Sequence, residues 1–307
     1  MKSKLFAVCA LTLVSADREL STVYTAETAL QIETRIELEL ESTMSMVRDG
    51  EPVEGRGFGG GGSNSAARGV TVDRYLEAAG GAASRVQRRW EQLEGELTMD
   101  FGGEERSLTL ESDFEDLVVE IARDEDGELA VEVVEGTGPD IELLERLRPG
   151  LALDAFLAGE AVAEGTEWPL ESEAIRRGLG LEISLFRAPE REDGGAGRGG
   201  RGRGGFGGRG GGPDSLLAGV EWSGRATFSA LEVFEGVECA RIALEIEGES
   251  ESDDENVSST TEVELEGTLW FDLAARRPIG LEIEGRISSE MDMTRERDGS
   301  LTEIHRE

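Results

Sequence analysis

Residues 29–47, ALQIETRIELELESTMSMV, keep one alternating register over an unusual length. Leu30, Ile32, Ile36, Leu38, Leu40, Met44 and Met46 take even positions, while Gln31, Glu33, Arg35, Glu37, Glu39 and Glu41 take odd ones. A period of two gives a strand one buried face and one wet face. A helix would scatter the same residues round its whole circumference. Strands usually run to about five or six residues, so a chain written this way needs a large sheet.

The same writing returns near the C-terminus. Val263, Leu265, Leu269 and Phe271 alternate with Glu262, Glu264, Glu266 and Thr268. Leu281, Ile283, Ile287, Met291 and Met293 alternate with Glu282, Glu284, Arg286, Ser288, Glu290 and Asp292. ARRPIG (275–280) lies between these runs and makes them a long hairpin. Residues 117–135 read as a second hairpin turning at Asp126-Gly127, and residues 226–247 as a third turning near Glu235-Gly236. Residues 70–76 and 85–101 read as two more strands joined by a Gly-rich turn.

Helical signals are few and central. Residues 139–148 place an Asp N-cap before Ile141, Leu144 and Leu147 on one stripe. Residues 151–159, 171–179 and 213–219 are shorter candidates. The expected fold is mainly β: a large antiparallel sheet curled like a half-barrel, with a few short helices packed on or across its open side. One β-rich domain is expected over residues 17–307, with a short helical segment at about 139–180. Disordered Gly/Arg-rich loops are expected at about 54–69 and 191–213, because glycine without apolar side chains does not recoup its ordering entropy.

Several motifs in this order carry a resemblance: V-T-V-D-x-Y (70–75), I-E-L-L-E-x-L-R (141–148), E-G-T-E-W (164–168) and G-T-L-W-F-D-L-A-A-R-R-P (267–278). The arrangement resembles a family of exported, uncharacterised β-rich proteins of planctomycete-type bacteria, over most of residues 20–295. The resemblance implies export and a β-rich fold, and it brings no catalytic residues. In architecture alone, a curled sheet closed by short helices is similar to periplasmic lipoprotein carriers of the half-barrel type.

The N-terminus reads as an export signal. Lys2 and Lys4 precede an apolar run, Leu5–Val14, and Val14-Ser15-Ala16 gives small residues for cleavage before Asp17. The run is far shorter than the about 20 residues that span a bilayer. The chain carries a net charge of −35, a surface that repels phosphate backbones and anionic lipid heads. The expected location is therefore periplasmic or extracellular. Cys239 is the only cysteine after residue 16, which leaves no internal disulfide.

The motifs that suggest chemistry give way to plainer readings. GGAGRGGRGRGGFGGRGGG (194–212) looks like an RNA-gripping RGG box, with Arg198, Arg201, Arg203, Arg209 and Phe206 for stacking. Tethered to an acidic, exported body, it reads better as an expanded loop, and no nucleic-acid partner is expected. Asp124-Glu125-Asp126-Gly127 fails as a calcium loop, because aligning Gly127 puts Ala122 and Val133 where acids are required. ESESDDEN (249–256) reads as a solvated loop. His305 sits where a terminus frays, and Cys239 falls within a strand as a small apolar residue. Trp90, Trp168, Trp222 and Trp270 read as core or sheet-edge anchors. No catalytic, cofactor-binding or metal residue is assigned. The expected function is a non-enzymatic binding or structural module. The rival is a half-barrel carrier of a lipid or other apolar ligand, and a weaker alternative is a carboxylate-dependent hydrolase.

Overall fold

The computed structural model describes residues 17–42, 44–48, 51–52, 61–100, 105–123, 127–139, 141–181, 185–187, 217, 219–254, 257–297 and 300–306. The leader at 1–16 and the Gly/Arg-rich run at 194–212 lie outside the described residues.

The protein is mainly β and antiparallel, with few and short helices, as its alternation requires. In the N-terminal half the strands are β1 (Arg18–Glu19), β2 (Thr28–Ser42), β3 (Met44–Arg48), β4 (Glu51–Pro52), β5 (Gly61–Ala79), β6 (Ala82–Asp100), β7 (Glu105–Leu110), β8 (Val118–Arg123) and β9 (Leu129–Glu135). Two short ones follow, β10 (Ala161–Val162) and β11 (Glu167–Leu170). The C-terminal meander is β12 (Glu221–Phe234), β13 (Val237–Asp254), β14 (Val257–Asp272), β15 (Arg277–Arg297) and β16 (Ser300–Arg306).

These strands are shared between two large sheets. One has the order β11-β12-β13-β14-β15-β16-β3-β4, and the other β2-β5-β6-β8-β9 with β7 also on β6. The alternating run at 29–47 belongs to both: β2 pairs with β5 in one sheet, and β3 pairs with β16 in the other. That run therefore joins the sheets. No pairing links β11 to β9, so the described strands do not close into a barrel.

The turns follow from local chemistry. Glu235 and Gly236 both have positive φ, 49° and 85°, the mirror-image turn that matches strand twist. Curvature has a local cause as well. A Cβ on Gly267 would lie 2.8 Å from the Glu282 carbonyl oxygen, and one on Gly285 would collide with that of Glu264. At these two positions neighbouring backbones crowd the inner face, which only glycine permits.

Two buried clusters fill the inward faces. The first packs Trp222, Phe228, Ile242, Leu244, Leu269 and Phe271 beneath helix α2 (Ser172–Gly178), with Ile175 inside it. The helix lies against a single 3-10 turn, Ala152–Phe156, whose Phe156 enters the same cluster. The second packs Tyr75, Val86, Trp90, Phe114, Leu117 and Ile121 around α1 (Ile141–Leu144), through Leu144. Residues 17–27 stitch the two together. Leu20 is fully buried in the first cluster and Tyr24 belongs to the second. The backbone of this segment bonds Leu20 N to Glu160 O (3.1 Å), Val23 N to Arg276 O (3.0 Å) and Tyr24 N to Gly81 O (2.8 Å).

Four expectations need correction. Residues 61–69, expected within a disordered loop, are strand, because β2 and β6 supply ladder partners on both edges. Residues 54–60 lie outside the described residues. The acidic run from Glu249 to Asp254 is strand as well: Ser250 and Ser252 face Thr261 and Ser259 across the ladder, and Glu251 between them points the other way. His305 does not fray, since β16 pairs it with Asp292 on one side and Ser45 on the other. The central helical segment is interrupted by β10 and β11, and α1 spans only four residues. Pro149 follows soon after α1 and disfavours helix in the residue before it.

Candidate functional site

The inward face of the six-stranded sheet holds two features outside plain packing, a polar knot and a partly covered step. Each follows from register. On β5, Thr71, Asp73 and Tyr75 share the inward register, and on β6 Val86, Arg88 and Trp90 do so. Asp73 therefore faces Arg88 directly across the ladder. The carboxylate is fully buried and accepts Nε at 2.7 Å and Nη2 at 2.6 Å from the guanidinium. Burial alone would lower the Arg88 pKa, and the Asp73 charge beside it more than compensates, so the guanidinium stays charged.

The Tyr24 and Tyr75 rings meet beside this pair, with centroids 4.7 Å apart and planes tilted by 40°. Tyr24 Oη donates to Asp154 Oδ2, and Thr22 Oγ1 donates to Oδ1 of the same carboxylate. The Leu151 amide in turn donates to Tyr24 Oη at 2.7 Å. Burial raises the Asp154 pKa, against the opposing pull of its two hydroxyl donors, the Leu151 amide and the Arg177 charge. Burial also pushes both phenols well above their ordinary value, helped by Asp154 at Tyr24 and by Asp73 at Tyr75. Each carboxylate is committed to donors from another part of the chain. Chemically, the knot is suited to holding the N-terminal segment against both clusters.

The second feature lies further along β2, β5, β6 and β7. Register sets Ile36, Ala67, Gly95 and Leu110 in one row across the four strands. The neighbouring row is Thr34, Gly69 and Leu93. Ala67 and Gly95 thus lie between the larger Ile36 and Leu110, leaving a step in the inward surface, whereas the Leu93 side chain leans over Gly69. Ile36 is 50% exposed there, although it sits on the apolar register, and Leu108 one row further on is 37% exposed. An open depression of about 930 Å³ at this place is lined by Ile36, Ala67, Leu93, Gly95 and Leu110 and equally by charged side chains, among them Arg68, Glu94, Glu96, Glu111 and Arg187.

Comparison with known proteins finds no matching family model, curated protein or solved structure. The geometry must carry the reading.

The residues singled out in the sequence are not brought to either feature as a group. Cys239 is buried in β13, where burial raises its thiol pKa and Sγ reaches Val237 O at 3.4 Å. Trp90 and Trp222 are core residues. Trp168 donates Nε1 to Phe156 O at 3.1 Å, and Trp270 stacks on Phe234 with centroids 4.2 Å apart. Asp124, Glu125 and Asp126 lie outside the described residues, and Gly127 has the positive φ of a turn, 86°. Among the described residues, no group of three or more His, Cys, Asp or Glu side chains is placed to hold a metal ion. No described helix is long and apolar enough to cross a membrane. The knot was missed, although an acid and a base on the apolar registers of V-T-V-D-R-Y and R-V-Q-R-R-W were a readable signal.

Proposed function

We propose that the protein is an exported, acidic module of the cell envelope or exterior that binds through the inward face of its curled sheets and performs no catalysis. The observation that supports this reading is a change along β2. Leu30 and Ile32 are partly covered by the second cluster, whereas Ile36, on the same register, is half exposed. An apolar stripe that begins as core and ends in the open is a surface for something to cover. The leader-like sequence at residues 1–16 and the resemblance to exported planctomycete-type proteins support the location. The acidic surface argues against nucleic-acid partners.

A second reading, a carrier for a lipid or other apolar ligand, is favoured by the exposure of Ile36 and Leu108 on inward registers. Native mass spectrometry of the protein purified from its own host tests both. A bound lipid or other apolar small molecule supports the carrier. A bound polypeptide supports a binding module. A bare mass, with no ligand captured from envelope extract, defeats the binding reading.

A further inference from the structure

The step beside Ile36 already has one tenant. A Cβ on Gly95 would lie 2.9 Å from Phe186 Cδ1 and 3.0 Å from Leu110 Cβ, so the Phe186 ring rests on the inward face of Gly95. Phe186 arrives on an extended stretch, residues 185–187. Glu111 N donates to Arg187 O at 2.9 Å and Arg187 N to Glu111 O at 2.8 Å, an isolated antiparallel bridge just beyond β7. The Arg187 guanidinium pairs with Asp113 (3.1 Å) and Glu111 (3.3 Å). β7 itself pairs only with β6, so its other edge has no strand partner among the described residues. An unpaired edge presents amide and carbonyl groups to any extended chain. An aromatic side chain lies in the step, a cation lies on two acids, and the two backbones exchange both bonds.

We propose that this edge, with its step at Ala67 and Gly95 and its acid pair Glu111 and Asp113, is a docking site for an extended polypeptide carrying an aromatic residue followed by Arg or Lys. Leu185-Phe186-Arg187 is the chain's own stand-in for that partner. Main-chain bonds at the edge give affinity, and the step and the acids choose the side chains. The partner is cationic at this point because Glu111, Asp113 and the protein's net charge of −35 repel an acidic one. The proposal rests on the reading of the inward face as a binding face.

Fluorescein-labelled SLFRAP, the chain's own residues 184–189, and SLARAP are titrated by anisotropy into the full chain and into Phe186→Ala. Emptying the step should tighten SLFRAP binding about tenfold, since the resident ring otherwise holds the site closed for most of the time. SLARAP should bind neither protein. Adding Gly95→Ala to Phe186→Ala puts a methyl where the ring sits and should abolish binding. If Phe186→Ala does not fold, Phe186→Leu replaces it, with a smaller gain expected. A folded variant that binds both peptides equally, or neither, overturns the proposal. So does one that binds a fluorescent fatty acid in place of the peptide. If peptide binding fails while native mass spectrometry still finds a bound molecule, the docking site is lost and the binding function stands.

Discussion

Tyr24 and Tyr75 are the only tyrosines in the chain, so its phenol absorbance reports on the knot alone. Both phenols are held neutral by burial and by nearby carboxylates. A phenol whose folded pKa is raised leaves stability unchanged below its ordinary value near 10, and lowers it as pH climbs above that value. Spectrophotometric titration should therefore show no tyrosinate near pH 10. Both phenols should ionise together, at higher pH, as the protein unfolds. One tyrosine titrating normally in the folded protein would place it outside the knot. Asp154 has the same sign at acid pH. Its raised pKa means that stability is greatest when it is protonated and falls as pH rises through its folded pKa. Tyr24→Phe removes one donor from Asp154 and leaves the buried Leu151 amide without its acceptor. That change should cost about 1–3 kcal/mol in a denaturant melt.

At the scale of the element, the strands were legible because alternation survives wherever one face is core and the other is wet. Composition misled at 61–69 and 249–254, where Gly, Ser and acids suggest loop and cross-strand partners decide otherwise. The short central helices were legible too, best at 171–179, where α2 forms, whereas α1 covers only part of 139–148, because short stripes do not reveal where a helix stops. The step beneath Phe186 was not legible, since a lone Phe outside any periodic run carries no register. Burial along β13 and β15 separates two kinds of inward position. Leu244 is 1% exposed and Ile283, on the neighbouring inward register, is only partly buried. Leu244→Ala should cost about 2–5 kcal/mol and Ile283→Ala clearly less, with Glu282→Gln within about 0.5 kcal/mol. Equal costs for Ile283 and Glu282 would mean that the sheet is not one-sided there. Gly285→Ala is the sharper probe of curvature. Its methyl collides with the Glu264 backbone, so the variant should melt lower than Ile283→Ala although it adds apolar volume. A melt like that of the native chain would show that the two backbones can part without cost.

The whole molecule must carry its charge, and the eight-stranded sheet concentrates it. Across the outward face Glu221 stands opposite Glu249, which stands opposite Glu262. Glu247 faces Glu264, and Glu245 faces Glu266, which faces Glu284. Arg225, paired to Glu245, and Arg286, in register with Glu264, are the cations within these rows. Like charges directly opposed on adjacent strands destabilise a sheet. The first buried cluster holds the rows together against that repulsion, on the far side of the same strands. Salt weakens repulsion between exposed charges, and the screening length falls from about 8 Å at 0.15 M to about 3 Å at 1 M. The melting temperature should therefore rise with added sodium chloride, whereas a protein held by exposed ion pairs would melt lower. Glu266→Arg places a cation between Glu245 and Glu284 and should stabilise by about 0.2–1 kcal/mol per pair at low salt. Most of that gain should vanish near 1 M, because the mutation and the salt relieve the same repulsion. A melting temperature that ignores salt, or a Glu266→Arg variant less stable than the native chain, would mean that the carboxylate rows are already neutralised by something the fold recruits.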